Sequence, residues 1–188
     1  MSAFMQYMEP PEGAQKVNLK ATDGTITYTW SYTYEGQTIT YYWTYADDAT
    51  KNYYTMQIQL DDGPLYNYVE AWEMKDGSKG KLLYNFNWIY AYYDDYYEDY
   101  YDDLFYTYEW EVTSSGVYNF TFYYGSESGE YTYALRYDVV VNADGSGTID
   151  YYYEDELFWH MEWDAMGNGS WAYYDTDGTV YSSGTWTV

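Results

Sequence analysis

The sequence predicts an all-β fold: an antiparallel up-and-down meander of about 12 strands closing into a barrel or half-barrel, with a two-sheet sandwich as the alternative. Three observations predict it. Rings and small polar residues alternate with a period of two over most of the chain, glycine turns separate the runs, and 33 Tyr and 9 Trp stand among 188 residues. A net charge of −24 with few aliphatic residues would ordinarily favour disorder. The rings reverse that expectation, because each buries about 150–250 Å².

The alternation can be followed in order. Residues 1–15, with Pro10-Pro11, read as an N-terminal lead-in, and residues 16–188 as a single antiparallel β domain. Ile26, Tyr28, Trp30, Tyr32 and Tyr34 share one side of a strand whose other side is Thr and Ser. Ile39, Tyr41, Trp43 and Tyr45 repeat the pattern, followed by Tyr54, Met56, Ile58 and Leu60, then Leu82, Tyr84, Phe86, Trp88 and Tyr90. Leu104 to Val112, Tyr118 to Tyr124, Tyr131 to Val141 and Leu157 to Trp163 continue it. Aromatic and β-branched residues in strict alternation are the mark of half-buried strands.

Turn chemistry lies between these runs: Asp23-Gly24, Glu35-Gly36, Asp62-Gly63, Asp76-Gly77, Ser115-Gly116, Asp144-Gly145, Asn168-Gly169 and Asp177-Gly178. Glycine supplies the positive φ of tight hairpins, and links this short join antiparallel neighbours. No Pro follows Pro64, which suits continuous pairing. So many strands call for closure or folding-over, since closure removes exposed edges.

Charge excludes several functions. With 31 acids against 7 bases the chain repels nucleic acid and anionic membrane surfaces, and favours cationic company. The absence of Cys removes disulfides, zinc–thiolate sites and thiol nucleophiles. No apolar stretch is long enough for a transmembrane helix. A membrane-embedded barrel would gather its rings into two girdles about an aliphatic midplane, whereas here rings run through whole strands. Met1 to Met8 lacks the pattern of a secretory signal.

Four candidate sites emerge. Asn142-Ala-Asp144-Gly-Ser146-Gly147-Thr-Ile-Asp150 follows the spacing of an EF-hand loop, but Tyr153 stands where the bidentate Glu belongs. A glycine-rich hairpin turn is the simpler reading. His160, the only histidine, falls on the polar side of its strand near Glu156, Glu162 and Asp164. Glu70 falls between Tyr68 and Trp72, where one register buries it and the other buries Val69 and Ala71 instead. The tract from Tyr92 to Asp103 gathers Asp94, Asp95, Glu98, Asp99, Asp102 and Asp103, for which weak Ca²⁺ binding is the expectation. No other cofactor and no catalytic residue is expected.

The stretch from Trp163 to Trp186, with its Gly-Asn-Gly and Asp-Gly turns, resembles the tail of uncharacterised Tyr/Trp-rich, lipid-anchored proteins of Gram-negative bacteria. The likeness extends loosely from Ser2 onward. It implies an exported, periplasmic or cell-surface domain whose signal and anchoring Cys are not present in this chain, and it brings no activity.

The expected function is a non-enzymatic, lipid-binding type of barrel, holding an apolar or amphiphilic small molecule between aromatic walls. Tyr28, Trp30, Tyr32, Trp43, Trp72, Trp88, Trp110, Trp159 and Trp163 are the expected ligand-lining residues. The alternatives are a structural or adhesive surface protein without a ligand, and a carbohydrate-binding module that uses rings as stacking platforms.

Overall fold

The computed structural model describes residues 10–17, 25–86, 104–126 and 135–188, and among these thirteen strands form and no helix. The strands group into two compact units, divided between Tyr101 and Asp102. The first unit holds β1 (Gln15–Val17), β2 (Ile26–Tyr34), β3 (Gln37–Asp47), β4 (Lys51–Leu60), β5 (Leu65–Met74) and β6 (Lys79–Asn85). The second holds β7 (Leu104–Val112), β8 (Tyr118–Ser126), β9 (Leu135–Val141), β10 (Gly147–Tyr153), β11 (Glu156–Trp163), β12 (Gly169–Tyr174) and β13 (Val180–Trp186).

Within each unit every strand pairs antiparallel with its neighbour in sequence. The antiparallel meander is therefore the fold. Among the described residues no pair joins β1 to β6 or β7 to β13, so each unit is an open sheet. An open order accords with the half-barrel or sandwich and not with a closed barrel.

Register gathers most of the described rings on one face of each unit. In the first, Tyr28 pairs with Trp43, Trp30 with Tyr41, and Tyr45 with Tyr54, while Thr and Gln share the other face with Tyr42, Tyr53 and Trp72. The core of this unit is Ile39, Trp43, Tyr54, Ile58, Leu60, Val69, Ala71 and Leu82, with Ile58 fully buried. In the second unit Tyr108, Phe122, Tyr137, Tyr151, Trp159 and Tyr173 succeed one another across neighbouring strands from β7 to β12.

Among the described residues three bulges interrupt the pairing, and each brings an extra ring to the ring face of its unit. Met56 pairs with Val69 and Gln57 with Asn67, so Tyr68 is the extra residue of the bulge and packs against the Ile39–Ile58–Leu60 cluster. Phe158 is the unpaired residue of β11 and meets Tyr151 and Tyr173. Tyr181 plays the same part in β13, beside Tyr173. A bulge shifts the strand phase by one residue, and such a shift changes which side chains face the core.

The first bulge resolves the ambiguity of Leu65–Met74. Tyr66, before it, lies opposite Ile58 on the ring face, whereas Val69, Ala71 and Glu73 occupy that face after it. Glu70 is therefore exposed, and the buried carboxyl is Glu73. The same phase shift places Leu157 opposite Tyr152, off the face that Trp159 occupies.

Four hairpins of the second unit share one turn. Backbone N–H groups of Thr113, Asn142, Asp164 and Asp175 donate to the carbonyls of Val117, Ser146, Asn168 and Thr179, and Gly116, Gly145, Gly167 and Gly178 donate back to the first residue. These glycines adopt φ of +81°, +88°, +89° and +79°, where a side chain is strained. Asn142–Ser146 is thus a hairpin turn, the simpler of its two readings. The Asn168-Gly169 turn is displaced: Gly167 takes the positive φ, and Gly169 already belongs to β12.

Candidate functional site

Of the expected ligand-lining residues, Tyr28, Trp30, Tyr32 and Trp43 converge on the ring face of the first unit. Trp30 stacks on Tyr41 at 5.3 Å between centroids, Tyr32 lies 5.7 Å from Tyr41, and Tyr28 lies 5.9 Å from Trp43. The Tyr32 and Tyr41 hydroxyls are 3.0 Å apart. Trp72 lies on the opposite face, where Lys51 Nζ sits 4.0 Å from its ring. Trp88 falls outside the described residues, as do Asp94, Asp95, Glu98, Asp99, Asp102 and Asp103.

Trp110, Trp159 and Trp163 share the ring face of the second unit, opposite Phe120, Tyr151 and Gly147 respectively. Along the central row of this face the centroid separations are 4.9 Å for Tyr108–Phe122, 6.1 Å for Phe122–Tyr137 and 4.6 Å for Tyr137–Tyr151. Trp159 and Tyr173 continue it at 6.3 Å. All six rings are partly exposed. Burial raises the pKa of the Tyr108 and Tyr151 hydroxyls, as it does for Tyr41, Tyr54 and Tyr68 in the first unit. These phenols therefore remain neutral donors at physiological pH.

An open trough of about 510 Å³ crosses the turn end of β10 to β13, lined by Asn142, Ser146, Gly147, Thr148, Glu162, Trp163, Asp164, Asn168, Gly169, Ser170 and Trp186. Its polar groups are held in place by one another. Asp164 accepts from the backbone of Met166 and Asn168 and from the Asn168 amide. The Asn168 side chain contributes most to holding the Asp164 carboxyl below its usual pKa. Ser170 donates to Glu162 at 3.0 Å, and Asn142 to Ser146 at 3.0 Å. Trp163 and Trp186 donate their indole N–H groups to the carbonyls of Gly145 and Gly167. Sequence reasoning named Trp163, and named Asn142, Ser146, Glu162 and Asp164 for other sites, but it did not bring them together and missed Trp186. The repeat of Asn142-Ala-Asp-Gly-Ser-Gly147 in Asp164-Ala-Met-Gly-Asn-Gly169 was the available signal.

His160 sits on the polar face, as its alternation implies. Its Nδ1 donates to Asp150 Oδ1 at 2.6 Å, and its Nε2 stands 3.9 Å from Glu162 Oε2. Ser170 is engaged with Glu162 rather than with His160. Arg136, on the same face, pairs with Asp138 and Asp155 and covers the Tyr152 ring. Among the described residues no three His, Asp or Glu side chains are grouped to hold a metal ion. No helix among them is long and apolar enough to cross a membrane. The sequence matches no protein-family model and no curated protein.

Proposed function

We propose that this protein is a non-enzymatic binding module, exported to the periplasm or cell surface, whose ring faces take an apolar or amphiphilic small molecule. One observation carries the reading: the row Tyr108, Phe122, Tyr137, Tyr151, Trp159 and Tyr173 aligns six partly exposed rings across six strands. A contiguous apolar strip of this kind is what a hydrocarbon chain covers, and tyrosine adds a hydroxyl that can stay wet. The exported location rests on the resemblance of the C-terminal stretch alone.

Native mass spectrometry of the purified full chain tests this, together with a titration by decyl maltoside followed through tryptophan fluorescence. A co-purifying amphiphile, or saturable binding that Tyr137→Ser with Tyr151→Ser weakens, supports the proposal. A bare mass together with no saturable binding overturns it.

The trough favours a second reading, carbohydrate binding. Its carboxylates, amides and hydroxyls are preorganised beside two indoles, the mixture that sugar hydroxyls and sugar ring faces meet well. Saturable quenching by a neutral oligosaccharide, lost in Asn168→Ala and retained in Tyr137→Ser, is the expected signature.

A further inference from the structure

The ring face of the first unit ends in a carboxyl. Asn52 pairs with Glu73 across β4 and β5, and Tyr54 lies one pair further along the same face. Glu73 is only 3% exposed. Its Oε1 accepts from the Tyr54 hydroxyl at 2.9 Å and from the Asn52 amide at 3.3 Å, while its Oε2 is buried with no hydrogen-bond partner. The Trp43 indole N–H beside this cluster is likewise buried and unpartnered. The rings of Trp43, Tyr45 and Tyr54 lie within 6.4 Å of one another, centroid to centroid.

A buried acceptor without a donor is costly, so the unpaired oxygen marks a place where a donor is wanted. Tyr54 already spends its proton on Oε1, and burial, with the bond to Glu73, keeps that hydroxyl protonated. Across β6 the residue opposite Glu73 is Gly80, which is buried and brings no side chain to the carboxyl. Aromatic faces attract cations, and a net charge of −24 draws them to the protein. A primary ammonium combines the donor and the charge that this end of the face calls for.

We infer that Glu73, together with Tyr54, Asn52 and the rings of Trp43 and Tyr45, forms a head-group site for the primary ammonium of an alkyl amine. This rests on the reading of the ring faces as amphiphile-binding surfaces and specifies the head group that the first unit selects. Tyr28, Trp30 and Tyr41, partly exposed further along the same face, supply the ring surface for the tail.

The test compares decylammonium with decyl maltoside, both below micellar concentration and at fixed ionic strength, by calorimetric titration of the full chain. A charge-assisted hydrogen bond gives decylammonium an advantage of about tenfold or more. Glu73→Gln is expected to bring the two ligands to parity. Glu70→Gln removes the same charge from an exposed position on the other face and is expected to preserve the preference. Should Glu73→Gln not fold, Gly80→Ala, which adds a methyl opposite the carboxyl, is expected to weaken amine binding alone. A preference that is absent, or that survives Glu73→Gln, or Gly80→Ala where that variant serves instead, overturns the head-group site while maltoside binding leaves the ring-face reading standing. Failure of both ligands to bind overturns both.

Discussion

The indole of Trp163 occupies the space that a side chain at Gly147 would fill. A β-carbon built on Gly147 would stand 2.4 Å from Cζ2 of that indole and 2.3 Å from the Val140 carbonyl oxygen. Trp186 stands in the same relation to Gly169, at 2.3 Å, and Trp171 to Gly184, at 2.8 Å. Each ring covers the backbone that its glycine exposes, and the glycine in turn lets the ring lie down.

Gly147→Ala is therefore expected to cost about 1–3 kcal/mol through overpacking. Gly145→Ala, at φ +88° with open space around it, is expected to cost about 1 kcal/mol through backbone strain alone. Urea unfolding measures both. The near-UV circular dichroism of Trp163 is expected to change more in the first variant than in the second, which strains only the Gly145 backbone that accepts the indole N–H.

The buried centre of the first unit gives a second expectation. Ile58 is fully enclosed between Tyr41 on β3 and Tyr66 on β5. Ile58→Ala is expected to lose about 2–5 kcal/mol. Val139→Ala, on the partly exposed face of the second unit, is expected to lose less. Equal losses would mean that the two faces are equally enclosed.

Acid is expected to loosen the turns. Asp48 is held below the usual carboxylate range chiefly by the backbone N–H of Thr50. Hydroxyls of Ser78, Ser146 and Thr179 do the same for Asp76, Asp144 and Asp177, and the Asn168 amide for Asp164. A carboxyl whose folded pKa lies below its unfolded value contributes stability above the unfolded pKa, near 3.9, and loses it as pH falls through the folded value. The acid limb of the melting curve thus falls below about pH 4. Replacing these five aspartates with Asn is expected to flatten that limb.

The β10–β11 turn stands at a local disadvantage. Glu154 and Asp155 both adopt positive φ, +49° and +64°, without being glycine. Asn-Gly suits a two-residue turn of this kind. Glu154→Asn with Asp155→Gly is expected to gain about 1 kcal/mol, read as a higher urea midpoint. The Arg136–Asp155 pair lost in the exchange is exposed on the Asp side and worth little.

Ionic strength provides a fifth check. A net charge of −24 repels itself in the compact state, and salt screens that repulsion over about 10 Å at 0.1 M. The melting temperature is expected to rise from very low to moderate salt. A flat response would mean that local pairing already compensates the acids.

The strands were legible in the sequence because alternating rings and hydroxyls report a two-residue period directly. Phase within a strand was not, wherever a bulge intervened. Tyr68 and Trp72 argue for one register and Val69 and Ala71 for the other, and Leu65–Met74 follows the first before its bulge and the second after it. Glu70 was weighed for burial on that account, when the phase shift buries Glu73. The open order of each unit was hidden for a different reason: closure depends on pairing between distant strands, which alternation within a strand does not encode. The trough was hidden because Asn142, Asp164 and Asn168 look like turn residues, which they also are.

The pairing of tryptophan with glycine bears on how such a chain can change its length. The hairpin of β10 and β11 begins with Gly147 and ends with Trp163, and that of β12 and β13 begins with Gly169 and ends with Trp186. Each hairpin carries both the glycine and the tryptophan of its own alignment key. A duplicated or deleted copy of such a segment would leave every remaining strand correctly aligned. A chain keyed in this way tolerates the gain or loss of a whole hairpin better than an insertion within one.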